Sequence, residues 1–169
     1  MKRTAEQREG TIKKLKLDTT LEGLNKRIID LGFTQAQANR IRKSSGNTIT
    51  AVLMYTAKLS SLGYSGADIT RIAASGGSKN LEAVTLKHTE LISLKFTAAE
   101  IVRMASHKGG SNNLQTVTEN YQALRTLGFN AAQIVRMVSH DGGSNNLQAV
   151  TENSEALISR HGFNEIQIV

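Results

Sequence analysis

The feature that most constrains the fold of this chain is an internal repeat. Residues 96–127 recur with few changes as residues 129–159, and the shared stretch reads I-V-R-M-x-S-H-[KD]-G-G-S-N-N-L-Q-x-V-T-E-N. Successive units open on an aromatic residue and are 31, 32, 33 and 34 residues long, counted between Phe33, Tyr64, Phe96, Phe129 and Phe163. Repeats of this length are typical of stacked helical hairpins, in which each unit needs its neighbours to bury an apolar face.

The repeat predicts an all-α protein, a right-handed superhelical solenoid of helix-loop-helix units that are 31–34 residues long. No alternating apolar and polar pattern of the kind that marks strands competes with this interpretation. The predicted segments are a basic leading segment or degenerate capping repeat at 1–32, a degenerate repeat at 33–62, a repeat with a shortened loop at 63–94, full repeats at 95–127 and 128–161, and the start of a further repeat at 162–169.

Each unit carries the signals that begin and end two helices. Thr97 and Glu100 have the spacing of a capping box, in which a hydroxyl and a carboxylate satisfy free amides at a helix start. The same spacing recurs in the other units at Thr34 with Gln37, Ser65 with Asp68, Asn130 with Gln133 and Asn164 with Gln167. The first helix should end near Ser106, and a glycine loop should separate it from a longer helix that ends at Gly128.

The composition excludes several classes of protein. The chain has no Pro, no Cys, no Trp and few aromatic residues, so its core must be largely aliphatic. Without cysteine it has neither a disulfide framework nor a thiolate metal site, which fits a reducing compartment. No run of about eighteen apolar residues predicts a membrane span, and the first residues lack the apolar stretch of a secretory signal. We expect a soluble protein of a bacterial cytoplasm or a host-cell nucleus, with no membrane partner.

The positive charge is concentrated near the start of the chain. Residues 1–44 carry 11 Lys and Arg against 5 Asp and Glu, whereas residues 45–169 carry 10 against 9. A basic leading segment before a nearly neutral array suggests attachment to a polyanion, although a solvated tail explains the charge equally well. On the first interpretation, the candidate phosphate contacts are Lys13, Lys14, Lys16, Arg40, Arg42 and Lys43.

The glycines between the two helices have two interpretations. They supply the positive φ of a tight turn, or they let the backbone and the free amides of the second helix approach an anion. A row of helix N-termini at nearly constant spacing would suit the phosphates of one nucleic-acid strand. The glycines concerned are Gly76, Gly77, Gly109, Gly110, Gly142 and Gly143. These loops do not match a nucleotide-binding P-loop, and we expect no small-molecule substrate.

The loop histidines predict a structural role. His107 and His140 lie one unit apart and not on one helix face, so we expect no metal ligation. Each imidazole is expected to fold back onto a carbonyl of its own first helix and so brace the loop. Ser139, His140 and Asp141 are consecutive and therefore cannot form the nucleophile, base and orienter of a catalytic triad. We predict no enzymatic activity, no cofactor and no metal.

The residue after each loop histidine is where the two full units differ most boldly. Lys108 in one unit becomes Asp141 in the next, which reverses the charge. In a DNA major groove an Asp carboxylate accepts a hydrogen bond from cytosine N4, and Lys donates to guanine O6 or N7. Free drift of an exposed loop residue explains the reversal, but not its confinement to the tip of a preserved loop.

These loops resemble the repeats of transcription activator-like effectors (TALEs), the DNA-binding proteins of plant-pathogenic bacteria, and of their divergent TALE-like relatives. The resemblance covers about residues 33–169, and it is carried by the series Ile134-Val135-Arg136-Met137-Val138-Ser139-His140-Asp141-Gly142-Gly143, followed by Leu147 and Val150. In that family each unit has two helices joined by a loop with a two-residue pair. The first member of the pair braces the loop, and the second meets a sense-strand base in the major groove.

The resemblance implies a role for each loop of this chain. His140 and Asp141 match the family's cytosine-reading pair. His107 and Lys108 stand at the same place, but this pair is uncommon in the family and its base does not carry over, so guanine is expected for Lys108 only from its side-chain chemistry. In the shortened loop at 74–77, Ser75 would brace and no side chain would read, as in the family's deletion variant. Residues 43–47 resemble the degenerate leading repeats that hold DNA without decoding it.

The chain departs from the family pattern in three ways. Asn112 with Asn113, and Asn145 with Asn146, stand where the family usually has a Lys-Gln pair near phosphates. The usual proline that kinks the second helix is missing, so the family's superhelical pitch does not carry over. There is no Trp, so the family's requirement for an initial thymine does not carry over either.

Two other function classes compete with a double-stranded DNA binder. A helical-repeat scaffold for protein–protein interaction fits the period, although the ankyrin and tetratricopeptide signatures are missing. An RNA reader would favour stacking side chains beside the decoding residues, and these loops have none. The main expectation is a monomer that wraps double-stranded DNA and reads one base per unit in the major groove.

Overall fold

The computed structural model describes residues 21–44, 46–107 and 109–161, and every regular element in these ranges is an α-helix. In chain order the helices are α1 (Leu21–Asp30), α2 (Gln35–Arg42), α3 (Gly46–Ser61), α4 (Gly66–Ser93), α5 (Ala98–Ala105), α6 (Gly110–Thr126), α7 (Ala131–Val138) and α8 (Ser144–His161). The predicted all-α class is confirmed. None of these helices, over the part of the chain described, is long and apolar enough to span a membrane.

A capping box begins each short helix, and it also begins the longer α4. The cap side chain accepts from the N–H three residues on, and the side chain at that position accepts from the N–H of the cap. The latter bonds are Thr34 to Gln37 at 2.7 Å, Ser65 to Asp68 at 3.1 Å, Thr97 to Glu100 at 2.8 Å and Asn130 to Gln133 at 2.9 Å. These four predicted boxes are confirmed. The fifth, Asn164 with Gln167, lies outside the described residues.

A left-handed residue follows each of the helices α1, α3, α4 and α6. After α6, the N–H groups of Gly128 and Phe129 donate to carbonyls of the last turn at 3.1 and 3.0 Å, which is the Schellman arrangement. Gly128 has a φ of 93°, and Gly32 and Gly63 each have a φ of 91°. Lys95 stands at the same place after α4, with a φ of 73°. The predicted helix end at Gly128 is confirmed.

The unit at 63–94 has two helical segments, both within the range of α4, with a very short break between them. They meet at a kink at Gly77, which has the non-helical angles φ 62° and ψ −140°. Because this unit has one residue fewer between its helical segments, a single glycine at positive φ redirects the chain. The full units have longer loops, whose described residues are 106, 107 and 109 between α5 and α6 and 139–143 between α7 and α8.

The core is aliphatic with one aromatic residue per unit. Phe33, Tyr64, Phe96 and Phe129 are each at most 4% exposed. Full burial of such a side chain contributes about 1.5–3 kcal/mol. The long helices pack in chain order, α1 on α3, α3 on α4, α4 on α6 and α6 on α8. The short helices α2, α5 and α7 pack on the long helices that follow them, so successive loops are held near one another.

Candidate functional site

The loops between the short and long helices line shared grooves. Ser44, Asn47 and Thr48 face residues 73–79 across one groove. Residues of the α5–α6 and α7–α8 loops face each other across a second groove of about 300 Å³, which includes His107, His140 and Asp141. Six of the predicted loop residues line this groove, namely His107, Gly109, His140, Asp141, Gly142 and Gly143, while Lys108 lies outside the described residues.

Asp141 lies exposed in the α7–α8 loop. Gly142 and Gly143 have φ values of 104° and 51°, and the Gly143 N–H donates to the His140 carbonyl at 3.0 Å, which closes a tight turn. A Cβ at Gly142 would lie 2.3 Å from Asn146 Oδ1, so a side chain there would displace that amide. The Asp141 carboxylate bonds to no described residue and is available to a partner.

The remaining loop glycines are needed by the packing of the protein itself. A Cβ at Gly110 would lie 2.1 Å from the Ala105 carbonyl oxygen, and a Cβ at Gly76 would lie 2.1 Å from Asn80 Nδ2. Gly77 and Gly109 have positive φ values of 62° and 74°. The turn and packing interpretation accounts for these glycines, and their contact with phosphates stays a prediction.

Two buried asparagines bond to the loop of the unit that follows them. Asn113, at 0% exposure, donates to the Val138 carbonyl at 3.1 Å and accepts from the Ser144 N–H at 2.8 Å. Asn80, at 2% exposure, donates to the Ala105 carbonyl at 2.7 Å and accepts from the Ser111 N–H at 2.9 Å. We call each of these paired contacts an asparagine bridge.

The asparagine bridges were missed by reasoning from the sequence, which treated Asn113 only as a departure from a family pattern. The signal was present, because Asn80, Asn113 and Asn146 recur at equal spacing, each directly before a buried leucine of the long helix. The bridges also correct one expectation. The N–H groups of Ser111 and Ser144 are bonded to asparagine side chains, so they are not free to bind an anion.

The predicted bracing residues behave differently from one another. The Ser75 hydroxyl donates to the Arg71 carbonyl at 3.1 Å, so it does contact the first helical segment of its unit. His107 and His140 are exposed, and neither imidazole bonds to a described residue. The carbonyls at the ends of α5 and α7 are instead bonded to the asparagine bridges, and bracing by histidine stays a prediction.

One arginine of each unit is exposed on the helix that leads to the loop. These are Arg40, Arg71, Arg103 and Arg136, each seven residues after the aromatic residue that opens its unit. None forms an ion pair with a described residue. Because Arg103 and Arg136 lie four residues before His107 and His140, each is about one helical turn from its loop. The array is nearly neutral in its sequence, and its net charge gave no indication of this row of arginines.

The predicted cationic patch near the start of the chain is only partly described. Arg40, Arg42 and Lys43 are exposed at the end of α2 and directly after it. Ser44, the next residue, lines the groove shared with residues 73–79. Lys13, Lys14 and Lys16 lie outside the described residues. Lys43 therefore directly precedes a residue that lines this groove, while the contact of the three cations with phosphates stays a prediction.

Comparison with known proteins adds no relative. No known protein-family model matches the chain, and no curated protein matches its sequence. The resemblance to TALE-like repeats therefore rests on the loop residues and their spacing.

Proposed function

We propose that this chain is a sequence-reading double-stranded DNA-binding protein of the TALE-like type. In this proposal the helix pairs continue as a right-handed superhelical solenoid, a monomer wraps the duplex, and each full loop meets one base in the major groove. The observation that carries the proposal is the recurrence, in both full units, of one exposed arginine four residues before one exposed loop.

The arginines supply what a phosphate backbone requires. Each strand of duplex DNA presents phosphates at a constant spacing, so a regular row of cations suits it. A guanidinium stays charged at all physiological pH values and can bind one phosphate through two parallel N–H donors. Arg71, Arg103 and Arg136 provide one such group per unit without a competing carboxylate in the described residues.

The loop tips supply the base readers. The Asp141 carboxylate has no partner among the described residues, and it is suited to accept a hydrogen bond from cytosine N4. Lys108, at the same place in the preceding unit, is suited to guanine O6 or N7. The bend at Gly77 has no residue at this place, so the unit at 63–94 would follow the DNA without reading a base.

The salt dependence of binding tests the backbone contacts. Replacing Arg103 and Arg136 together by Ala should lower the slope of log Kd against log salt by about one unit per arginine. The reason is that binding releases fewer counterions from the DNA when a phosphate contact is lost. Lys26→Ala is the matched control, because the Lys26 ammonium already pairs with Asp30 at 2.9 Å. An unchanged slope for the double variant would exclude the arginine row from the interface. The same measurement on Arg40, Arg42 and Lys43 tests the leading patch.

Base preference tests the reading role of Asp141. The four duplexes that differ only at the base opposite Asp141 should be ranked with cytosine first, by about 5- to 150-fold, since a good polar base contact is worth about 1–3 kcal/mol. Asp141→Asn should lose this preference, because an amide donates as well as accepts. Equal binding of all four duplexes, in a site otherwise bound specifically, would contradict the proposal.

One observation favours a protein-binding scaffold as a second candidate. Met54 on α3 and Leu86 on α4 are 66% and 71% exposed, and they occupy equivalent places in successive units. Glu119 and Glu152 stand at these places in the full units, so the apolar pair is confined to the first part of the array. A chain that fails to bind any duplex at low salt, where phosphate contacts are strongest, would favour this second candidate.

A further inference from the structure

The asparagine bridges fix both ends of a loop that belongs to the next unit. Val138 is the last residue of α7 and Ser144 is the first residue of α8, so the loop between them contains Asp141. The Asn113 amide donates to the first of these residues at 3.1 Å and accepts from the second at 2.8 Å. One planar side chain on α6 therefore sets the separation and the direction of the two ends of the α7–α8 loop.

The same paired contact recurs one unit earlier, although Asn113 Nδ2 also donates to the Met104 carbonyl of its own unit at 3.2 Å. Asn80 donates to the Ala105 carbonyl at the end of α5 and accepts from the Ser111 N–H in the first turn of α6. Both asparagines are almost fully buried, at 2% and 0% exposure. Because water is excluded from these sites, an amide or carbonyl without a hydrogen-bond partner would raise the free energy of the folded protein. The bonded arrangement is therefore strongly preferred over a displaced loop.

The loop itself offers little else to hold Asp141 in place. Within it, the Gly143 N–H donates to the His140 carbonyl at 3.0 Å. The Asp141 carbonyl accepts from Asn146 Nδ2 at 2.8 Å, a contact from its own unit. The His140 ring makes no bond to a described residue. Among the hydrogen bonds of the described residues, those that join the ends of this loop to the preceding unit come from Asn113.

We propose that Asn113 and Asn80 are positioning residues for base selection, each acting on the loop of the unit that follows it. The base preference of Asp141 then depends on Asn113, and that of residue 108 depends on Asn80. This inference rests on the proposed DNA-binding function. A hydrogen bond to a base edge weakens steeply with misalignment, so a loop that loses its bridge should keep its charge and lose its selectivity.

The experiment uses a parent in which both full loops carry the same reader. In the full chain with Lys108→Asp, both loops read the same base, so the two bridges can be compared directly. Binding is measured to the four duplexes that vary the base at one position, then to the four that vary the other. The unfolding midpoint of every variant is recorded alongside.

The expected result is a crossed pattern. Asn113→Ala should reduce discrimination at the base opposite Asp141 from about 5- to 150-fold to less than threefold, and affect the other position much less, since only its bond to the Met104 carbonyl reaches α5. Asn80→Ala should reduce discrimination at the base opposite residue 108 and leave the base opposite Asp141 unchanged. Because both variants remove a buried amide, each controls for the loss of stability in the other. Loss at both positions alike, or at neither, overturns the inference.

A second pair of variants guards against loss of the fold. Thr48, at 1% exposure, occupies the equivalent place on α3, so Asn113→Thr and Asn80→Thr are substitutions that this kind of helix accommodates. Threonine is too short to reach both loop ends, and the same crossed loss is expected. If these variants select bases as the parent does, the inference is wrong. A parent without any base preference overturns the proposed function itself, and the inference with it.

Discussion

The unit at 63–94 and the full units that follow it connect their two helices with different numbers of residues. In the first, the two helical segments of α4 meet at a kink at Gly77, and no side chain stands at the tip. In the second, a loop separates α7 from α8 and exposes Asp141. The difference indicates that one inserted residue is enough to convert a kink between two helices into a loop that presents a side chain.

The residue of the preceding long helix that lies next to each connection also differs in length between the two kinds of unit. Thr48 Oγ1 would lie 2.9 Å from a Cβ at Gly77, whereas the α5–α6 and α7–α8 loops are contacted by the longer amides of Asn80 and Asn113. These three residues occupy equivalent places, each directly before a buried aliphatic residue of a long helix. A short side chain thus accompanies the short turn, and a long one accompanies the full loop.

The largest expected effect comes from filling the space that the asparagine bridge occupies. Gly110→Ala places a Cβ 2.1 Å from the Ala105 carbonyl oxygen and 2.6 Å from Asn80 Nδ2. Because one of these atoms belongs to the backbone, relief requires the loop to move, and we expect a loss of about 3 kcal/mol in the free energy of unfolding. Urea unfolding monitored by circular dichroism measures it.

The matched control is the same substitution at the first residue of α4. A Cβ at Gly66 would meet the Phe33 ring at 3.6 Å, which is an ordinary contact. Gly66→Ala should therefore be neutral or stabilise the protein by up to about 1 kcal/mol, since alanine has less freedom in the unfolded chain. An equal loss in the free energy of unfolding for the two variants would show that the asparagine bridge does not require glycine at position 110.

The next effect tests whether loop length and bridge length are coupled. Inserting one Asp between Ser75 and Gly76 should destabilise the protein, because Thr48 cannot reach both ends of a longer loop. Thr48→Asn alone should also destabilise it, because the larger side chain crowds the bend at Gly77. Together the two changes should recover about 1–2 kcal/mol relative to the sum of their separate effects. Strict additivity in a double-mutant cycle would contradict the proposed coupling between the length of the loop and the length of the side chain at position 48.

The sequence predicted the local features of both regions well. The capping boxes at Ser65 and Asn130 and the helix end at Gly128 depend on residues within one turn of each other, so their spacing is visible in the chain. The asparagine bridges link residues of adjacent units, 25 and 31 positions apart, and no local pattern defines such a contact. The glycine pair of the unit at 63–94 predicted a break between two helices, but not that the single residue Gly77 would form the kink.

A smaller effect is expected at the turn that ends each of these units. Lys95 ends α4 with a φ of 73°, whereas Gly128 ends α6 with a φ of 93°. A side chain in the left-handed region costs about 1–2 kcal/mol, which is offset in part by the greater freedom of glycine in the unfolded chain. Lys95→Gly should therefore raise the free energy of unfolding by about 0.5–1 kcal/mol. Gly128→Lys, the reverse change, should lower it, and the same sign for both would contradict this explanation.

The smallest effect concerns a pair found in the unit at 63–94. The Tyr64 hydroxyl lies 2.9 Å from His88 Nδ1, whereas the full units open on Phe96 and Phe129. Burial, and secondarily the positive charge of Lys58, lower the pKa of His88 below its usual value. Between the usual and the lowered value the unfolded chain binds more protons than the folded one, so acidification favours unfolding.

The contribution of His88 to the free energy of unfolding should be constant above about pH 6.5, the usual pKa of histidine. It should fall as the pH drops from this value to the lowered pKa of folded His88. Below that pKa it should level off, because His88 is then protonated in the folded state as well. His88→Gln removes the titrating group and should flatten this part of the profile, while Tyr64→Phe restores the ring of the full units and keeps the histidine. The measurement is the thermal midpoint of each protein from pH 7.5 to pH 5. A wild-type profile that matches His88→Gln throughout would mean that this histidine contributes nothing to the difference between the two regions.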